Sequence, residues 1–320
     1  MNKIDIVFMG TPEFAVTILA KLLTDEAINI VGVITAPDKP AGRGRKMHSS
    51  AVKEIALEHN LKILQPTNLK DKLFVEELHA LHADLFVVVA FRMLPEVVWS
   101  MPKLGTINLH ASLLPQYRGA APINWAIING EQETGVTTFF IAKEIDTGAI
   151  IEQRKVEIGD NMTVGELYEE LMVLGAEATH STVQKIMHGD ITRIDQASIA
   201  QNETLKSAPK IFKEDCAINF DNKMESVFNL CRGLDPYPGA WLRMKNTDKD
   251  EIKTMKIFRV EKTALAIKDE LRIELSDGGI LLPCSDFYLL VHEVQLEGKR
   301  KMNVKEFILG HNVTNFRLHK

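Results

Sequence analysis

The chain has 320 residues, 45% hydrophobic and 25% charged, with a formal net charge of −5, which suits a soluble globular protein with room for two domains. The negative balance excludes a wholly basic nucleic-acid coat, although the part after Ala208 carries a small basic excess on an otherwise acidic chain. No apolar run approaches the ~20 residues needed to span a bilayer, so no membrane association is expected. The start, MNKIDIVFMG, leads directly into a strand-like segment without a secretory apolar region. The three cysteines, Cys216, Cys231 and Cys284, have neither CxxC spacing nor a nearby histidine cluster. A cytoplasmic, reducing location follows as the expectation, with no zinc knuckle and no disulfide framework.

In chain order, Ile4–Gly10 reads as a buried strand. Thr11 then stands at a helix cap, Pro12 in the first turn, and apolar residues follow at helical spacing through TPEFAVTILAKLL. Ile28–Thr35 and Asp84–Ala90 read as further strands, the latter an almost unbroken apolar run of the kind that is covered on both faces. Helical stretches over Ala51–His59 and about Lys72–Leu81 separate them. This alternation predicts an α/β, Rossmann-like parallel sheet. Thr106–His110 is then a strand with His110 at its carboxyl end, where such sheets bind ligands. VTTFFIA and GAIIEQRKVEI alternate more clearly and read as a hairpin around KEIDTG. Thr163–Met187 is a long amphipathic helix. The polar stretch 188–207 is the expected linker, and 208–320 reads as a small C-terminal β-barrel (OB-like) with some helix before it. The expected division is thus a domain over 1–187, the linker, and a barrel domain over 208–320.

Two glycine-rich stretches fail their phosphate-binding patterns. GTPEFA after the first strand is not G-x-G-x-x-G, and GRGRKMHSS is not a Walker A loop, so neither a nicotinamide nor an ATP enzyme is expected. Asn108 and His110 are two residues apart on a strand and so point the same way. Asn offers N–H donors for a developing oxyanion, and His can donate to it or carry a proton. A structural pair capping the strand end is the competing reading. Asp146, in KEIDTG, can act through His110 or be an ordinary turn aspartate. SLLP, Ser112–Pro115, forms an apolar wall for a flat ligand, or a loop packing its leucines inward.

Taken together, the stretch INLHASLLPQYRGAAPINWAIINGEQETGVTTFFIAKEIDTG resembles the folate-dependent formyltransferases, in which N-x-H, S-L-L-P and D-x-G recur at this spacing. MGTPEFAVTILAKLL, APDKPAGRGRK, RGAAPI and the C-terminal domain resemble the members that formylate methionyl-tRNA, over essentially the whole chain. The smaller glycinamide ribonucleotide formyltransferases share the core but lack the GRGRK insertion and the barrel. One departure stands out. Where the family commonly has A-Y-G-x-x-L-P, this chain has AFRMLP (Ala90–Pro95), one residue shorter and without the glycine.

The resemblance implies 10-formyltetrahydrofolate as co-substrate, initiator methionyl-tRNA as acceptor, and neither metal nor nicotinamide. It implies Asn108, His110 and Asp146 as catalytic residues. Ser112, Leu113, Leu114, Pro115, Met93 and Leu94 would bind folate, and Arg43, Arg45 and Lys46 would contact tRNA. A monomer is expected. Lys253, Lys256, Arg259 and the GKRK stretch ending at Lys301 are further candidates for tracking phosphates. Two alternatives are a formyltransferase for a small amine, such as a nucleotide-linked amino sugar, and a non-catalytic RNA-binding protein. The latter has no need of Asn108, His110 and Asp146 together.

Overall fold

The computed structural model describes residues 3–41, 46–200, 204–247, 251–268 and 272–319. Its first half is built on a seven-stranded mixed sheet. β1 (Ile4–Gly10) leads into α1 (Glu13–Leu23) and β2 (Ile28–Ile34). A short hairpin follows, β3 (Lys39–Ala41) and β4 (Lys46–His48), then α2 (Ala51–Glu58), β5 (Ile63–Leu64), α3 (Lys72–His79) and β6 (Leu85–Val89). Next come α4 (Glu96–Trp99), β7 (Thr106–His110), β8 (Arg118–Gly119), α5 (Pro122–Ile128), β9 (Glu133–Phe140) and β10 (Ile150–Glu157). The strand order is β10-β9-β7-β6-β1-β2-β5. The strands from β5 to β7 pair in parallel, and β9 runs antiparallel to β7.

Each element has a local cause. The five residues of β6, LFVVV, are all buried, as the unbroken apolar run requires of a strand covered on both faces. α1 buries Phe14, Ala15, Ile18, Leu19 and Leu22, one stripe at helical spacing. It begins one residue later than the sequence suggested. Pro12 is the N-cap, Thr11 lies outside, and no side chain caps the helix. Proline has no side-chain acceptor to offer the first turn, and the Phe14 N–H donates instead to the Tyr168 hydroxyl at 3.0 Å. Ser50 caps α2 by accepting from the Lys53 N–H, and Asp71 caps α3 by accepting from the Phe74 N–H. A core of Val7, Met9, Ile34, Phe74, Phe86 and Val88 joins the sheet to α3 and α4.

α6 (Val164–His188) is the long predicted helix, opened by a capping box. The Thr163 N–H donates to Glu166 Oε2 at 2.7 Å, and the Glu166 N–H donates back to Thr163 Oγ1 at 3.3 Å. The polar stretch after it contains α7 (Gln196–Ile199) and β11 (Ser207–Ala208), which pairs in parallel with β8. The chain forms two compact units that interleave along the sequence. One comprises Met1–Pro122, Gly135–Val156 and Tyr168–Ala208. The other comprises Ile123–Thr134, Glu157–Leu167 and Pro209–Lys320.

The second unit holds α8 (Met224–Leu234), β12 (Ala240–Asn246), β13 (Glu251–Ala266), β14 (Glu274–Ser276), β15 (Gly279–Pro283), β16 (Phe287–Leu296), β17 (Met302–Asn303), α9 (Val304–Gly310) and β18 (Phe316–Leu318). Its sheet runs β14-β15-β16-β13-β12-β18, and an isolated bridge between Arg272 and Arg317 links the β14 and β18 ends. The sheet thereby curls into the small barrel the sequence predicts. Leu242, Ile257, Leu282, Leu289, Val291 and Phe307 fill it. Asn124 reaches this unit's α8 through a 2.8 Å hydrogen bond to the Gly233 carbonyl, and buried Arg232 donates to the Met162 carbonyl at 3.1 Å. These bonds tie the two short upstream segments to the barrel.

All three cysteines are free and buried in this second unit. Burial pushes the Cys284 thiol up to about 12 and Cys231 higher still, and it raises Cys216 as well. A thiol-reactive dye at pH 8 is therefore expected to label none of the three in the native protein and all three after unfolding in guanidinium. Fast labelling of native Cys231 or Cys284 would contradict this packing.

Candidate active site

Asn108 and His110 stand on β7, the strand where the parallel part of the sheet meets the antiparallel hairpin. His110 is 6% exposed. Its Nε2 lies 2.8 Å from the Tyr117 carbonyl oxygen. A carbonyl can only accept, so Nε2 carries the proton and donates it there. His110 Nδ1 faces Asp146 Oδ2 at 3.7 Å. The separation exceeds direct hydrogen-bond length, and it brings an imidazole nitrogen and a carboxylate oxygen to face each other. Asp146 Oδ2 also accepts from the Gly119 N–H at 3.1 Å. Asn108, half-buried on the same face, makes no side-chain hydrogen bond among the described residues, which leaves its amide for a ligand.

The turn after His110 is shaped by hydrogen bonds on its inner side. Ser112 is fully buried. Its hydroxyl donates to the Gln116 carbonyl at 2.7 Å, and its carbonyl accepts from Thr137 Oγ1 at 2.6 Å. The Leu114 N–H donates to Thr137 Oγ1, and the Leu114 carbonyl accepts from Gln153 Nε2. The Leu114 side chain is buried against Phe139 and Ile150. Ser112 and Leu114 therefore hold the turn from within. Leu113 is half-buried and Pro115 buried. Tyr117 (φ 59°) and Asp146 (φ 55°) both take left-handed backbone, a conformation aspartate tolerates better than most residues.

Met93 and Leu94 are elsewhere on the same sheet edge, in the segment that leaves the carboxyl end of β6. That segment begins with Ala90 in the left-handed region, φ 47°. They line a cavity of about 700 Å³ together with Thr67, Asn68, Arg92 and Val97. Met93 is 75% exposed at the rim, and Leu94 is buried. Arg92 bridges to the opposite wall by donating to the carbonyls of Pro66 and Thr67. The shortened AFRMLP segment is thus tied across by an arginine where the family commonly places glycine.

The residue before the β3–β4 hairpin is anchored. Asp38 pairs with Lys53 at 2.5 Å and accepts from Gln65 Nε2 at 2.8 Å. Arg43 and Arg45 lie outside the described residues. Lys46 opens β4, and its side chain also lies outside them.

Sequence reasoning missed Tyr117, Gly119, Arg118 and Gln196. The first two act through backbone atoms, which carry no side-chain signature. Gln196 is buried in the polar stretch and hydrogen-bonds Arg118 and the carbonyls of Asp146 and Gly148.

Comparison with known proteins shows the family. Residues 2–183 match the formyl transferase family, and residues 210–312 match the formyl transferase C-terminal domain. The fold is also shared with an N-formyltransferase from Helicobacter canadensis solved with folinic acid and dTDP-3-aminofucose. That match has a TM-score of 0.64 and 22% identity, covering 94% of this chain and 100% of that one. HypX from Aquifex aeolicus, solved with tetrahydrofolic acid, aligns with a TM-score of 0.61 at 16% identity, over 100% of this chain and 51% of that one. The chain is a formyl transferase with both of the family's domains. Among curated proteins, the methionyl-tRNA formyltransferase of Bacteroides thetaiotaomicron is 48% identical over 98% of each chain, and that of Flavobacterium psychrophilum is 47% identical over 99% of each. The chain belongs to the methionyl-tRNA formyltransferase family.

A Cβ at Gly148 would lie 1.7 Å from the Phe140 carbonyl oxygen. Gly148→Ala must therefore displace the loop that carries Asp146, and kcat for formyl transfer is expected to fall by roughly 10²-fold. Steady-state kinetics on folded protein checks this, and wild-type kcat would show that the loop relaxes without moving Asp146.

Proposed function

We propose that this enzyme transfers the formyl group of 10-formyltetrahydrofolate to the amino group of methionine on initiator methionyl-tRNA, for translation initiation in the cytoplasm, as a monomer. The observation that carries the chemistry is the facing of His110 Nδ1 and Asp146 Oδ2 beside Asn108, whose amide makes no side-chain hydrogen bond among the described residues. The acceptor is inferred from the full-length likeness to relatives named for it.

Formyl-folate, when bound, supplies an already activated one-carbon group, so the protein is left with binding, orientation and proton handling. The cavity beside β6 has a volume suited to a heteroaromatic ligand, with Met93, Leu94 and Val97 as apolar wall and Thr67, Asn68 and Arg92 as polar edge. Leu113 and Pro115, held by Ser112 and Leu114, form the wall nearer β7. Asn108 donates to the oxygen that becomes negative when the neutral amine attacks the formyl carbon. As the new C–N bond forms and the bond to N10 breaks, the amine gives up one proton and N10 gains one. His110 and Asp146 relay that proton, directly or through water. Residues 1–187 carry this chemistry, 188–207 connect, and 208–320 hold the tRNA, helped by the basic stretch Arg43, Arg45 and Lys46. No step calls on a metal.

Asn108→Ala, His110→Ala and Asp146→Ala are each expected to lower kcat by roughly 10²–10³-fold while tRNA binding persists. Near-normal turnover in all three would remove the site assignment. A second reading, transfer to a nucleotide-linked amino sugar, draws on the Helicobacter structure. Supplying 10-formyltetrahydrofolate with either methionyl-tRNA or a dTDP-amino sugar separates them by which amine is formylated.

The basic stretch generates its own expectation. Phosphate contacts cannot distinguish one tRNA from another. If Arg43 reads an open acceptor end, Arg43→Ala should lower kcat/KM more on initiator than on elongator methionyl-tRNA. If it only tracks phosphates, the loss is equal on both and the salt dependence flattens by about one charge. Measurement at two salt concentrations decides, and an unchanged value on both substrates takes Arg43 out of tRNA recognition.

A further inference from the structure

Gln196 lies fifty residues beyond Asp146, in the polar stretch between the two family domains. It is 1% exposed, and every hydrogen-bonding group of its amide is used. Nε2 donates to the Asp146 carbonyl at 2.9 Å and to the Gly148 carbonyl at 2.8 Å. Oε1 accepts from Arg118 Nε at 3.0 Å and Nη2 at 2.6 Å. The backbone on either side is held as well. Ile194 and Ile150 exchange two hydrogen bonds of 2.9 Å, and Asp195 caps α7 by accepting from the Ala197 N–H.

These bonds close a ring. Gln196 grips the main chain at Asp146 and again two residues later, which sets the direction in which the Asp146 side chain leaves the loop. Gln196 also grips Arg118, whose neighbour Gly119 donates to the Asp146 carboxylate. Tyr117, on the other side of Arg118, accepts from His110. The ring thus joins the supports of His110 and of Asp146. The 3.7 Å gap between His110 and Asp146 has no direct hydrogen bond to maintain it. Its length depends on how firmly the two supporting segments are held to each other.

We propose that Gln196 is a positioning residue for formyl transfer, acting through its clamp on the Asp146–Gly148 loop and on Arg118 to set the distance between Asp146 and His110. This rests on the catalytic reading of Asp146 given above. Gln196 touches neither substrate in this role, so its loss should appear in kcat and leave both KM values alone.

Gln196→Met keeps the length and packing without the hydrogen bonds. Gln196→Glu keeps an acceptor for Arg118 but turns the donor into a second acceptor facing two carbonyls. Both variants, in the full-length enzyme, are expected to lower kcat roughly 10- to 100-fold. KM for methionyl-tRNA and for 10-formyltetrahydrofolate should stay within about threefold of wild type. Amide hydrogen exchange across residues 143–149 should accelerate in both, a measurement that needs no substrate. Wild-type kcat in either folded variant, unchanged exchange in that loop, or a loss confined to KM would overturn the clamp. Inactivity of the wild-type enzyme on methionyl-tRNA would instead sink the functional reading, with the exchange result still judging the clamp.

Discussion

The site depends on two backbone groups two residues apart. The Tyr117 carbonyl takes the Nε2 proton of His110, and the Gly119 N–H holds the carboxylate of Asp146. The first contact decides the histidine's tautomer and turns Nδ1 toward the acid. The second sets where the acid waits. Because both come from one short segment, that segment touches both members of the pair. The segment is itself held by a parallel ladder. The Tyr117 N–H donates to the Lys206 carbonyl at 2.7 Å, and the Ala120 N–H donates to the Ala208 carbonyl at 2.7 Å. Gly119 is needed for this approach. Its φ is 130°, and a Cβ there would stand 2.4 Å from the Ala208 oxygen.

The surroundings serve the same end. Thr137 on β9 is fully buried and faces the turn after His110. It donates to one carbonyl of that turn and accepts from the Leu114 N–H and from Gln153. The turn is thereby fixed against the antiparallel hairpin. Asn108, by contrast, makes no side-chain hydrogen bond among the described residues, as the proposed stabilisation of a developing charge requires.

Much of this was legible in the chain. Period-two spacing puts Asn108 and His110 on one face of a strand wherever that strand sits. The apolar run at Leu85–Val89 demands a strand covered on both sides. The hairpin around KEIDTG follows from alternation on each flank. The start of α1 lies one residue later than the sequence suggests, because the first turn takes its hydroxyl from distant Tyr168 rather than from Thr11. The support of Asp146 was not legible. A backbone N–H and a carbonyl are present at nearly every residue, and no pattern marks which of them will meet a particular side chain. The role of Gln196 was hidden for a related reason. Its stretch has a connector's composition, and burial is invisible in composition.

The sequence by itself determined that Asn108 and His110 share a face of β7, because that rests on local periodicity, and its likeness to the formyltransferases carried the family. Only the tertiary structure decided that Ser112 and Leu114 point inward to hold a turn, that Met93 and Leu94 border a cavity at the end of β6, and that a residue from the connecting stretch grips the Asp146 loop. Those relations join positions tens of residues apart. Their geometry is set by strand order and by which buried polar groups must find partners, and both are settled only when the whole sheet has assembled.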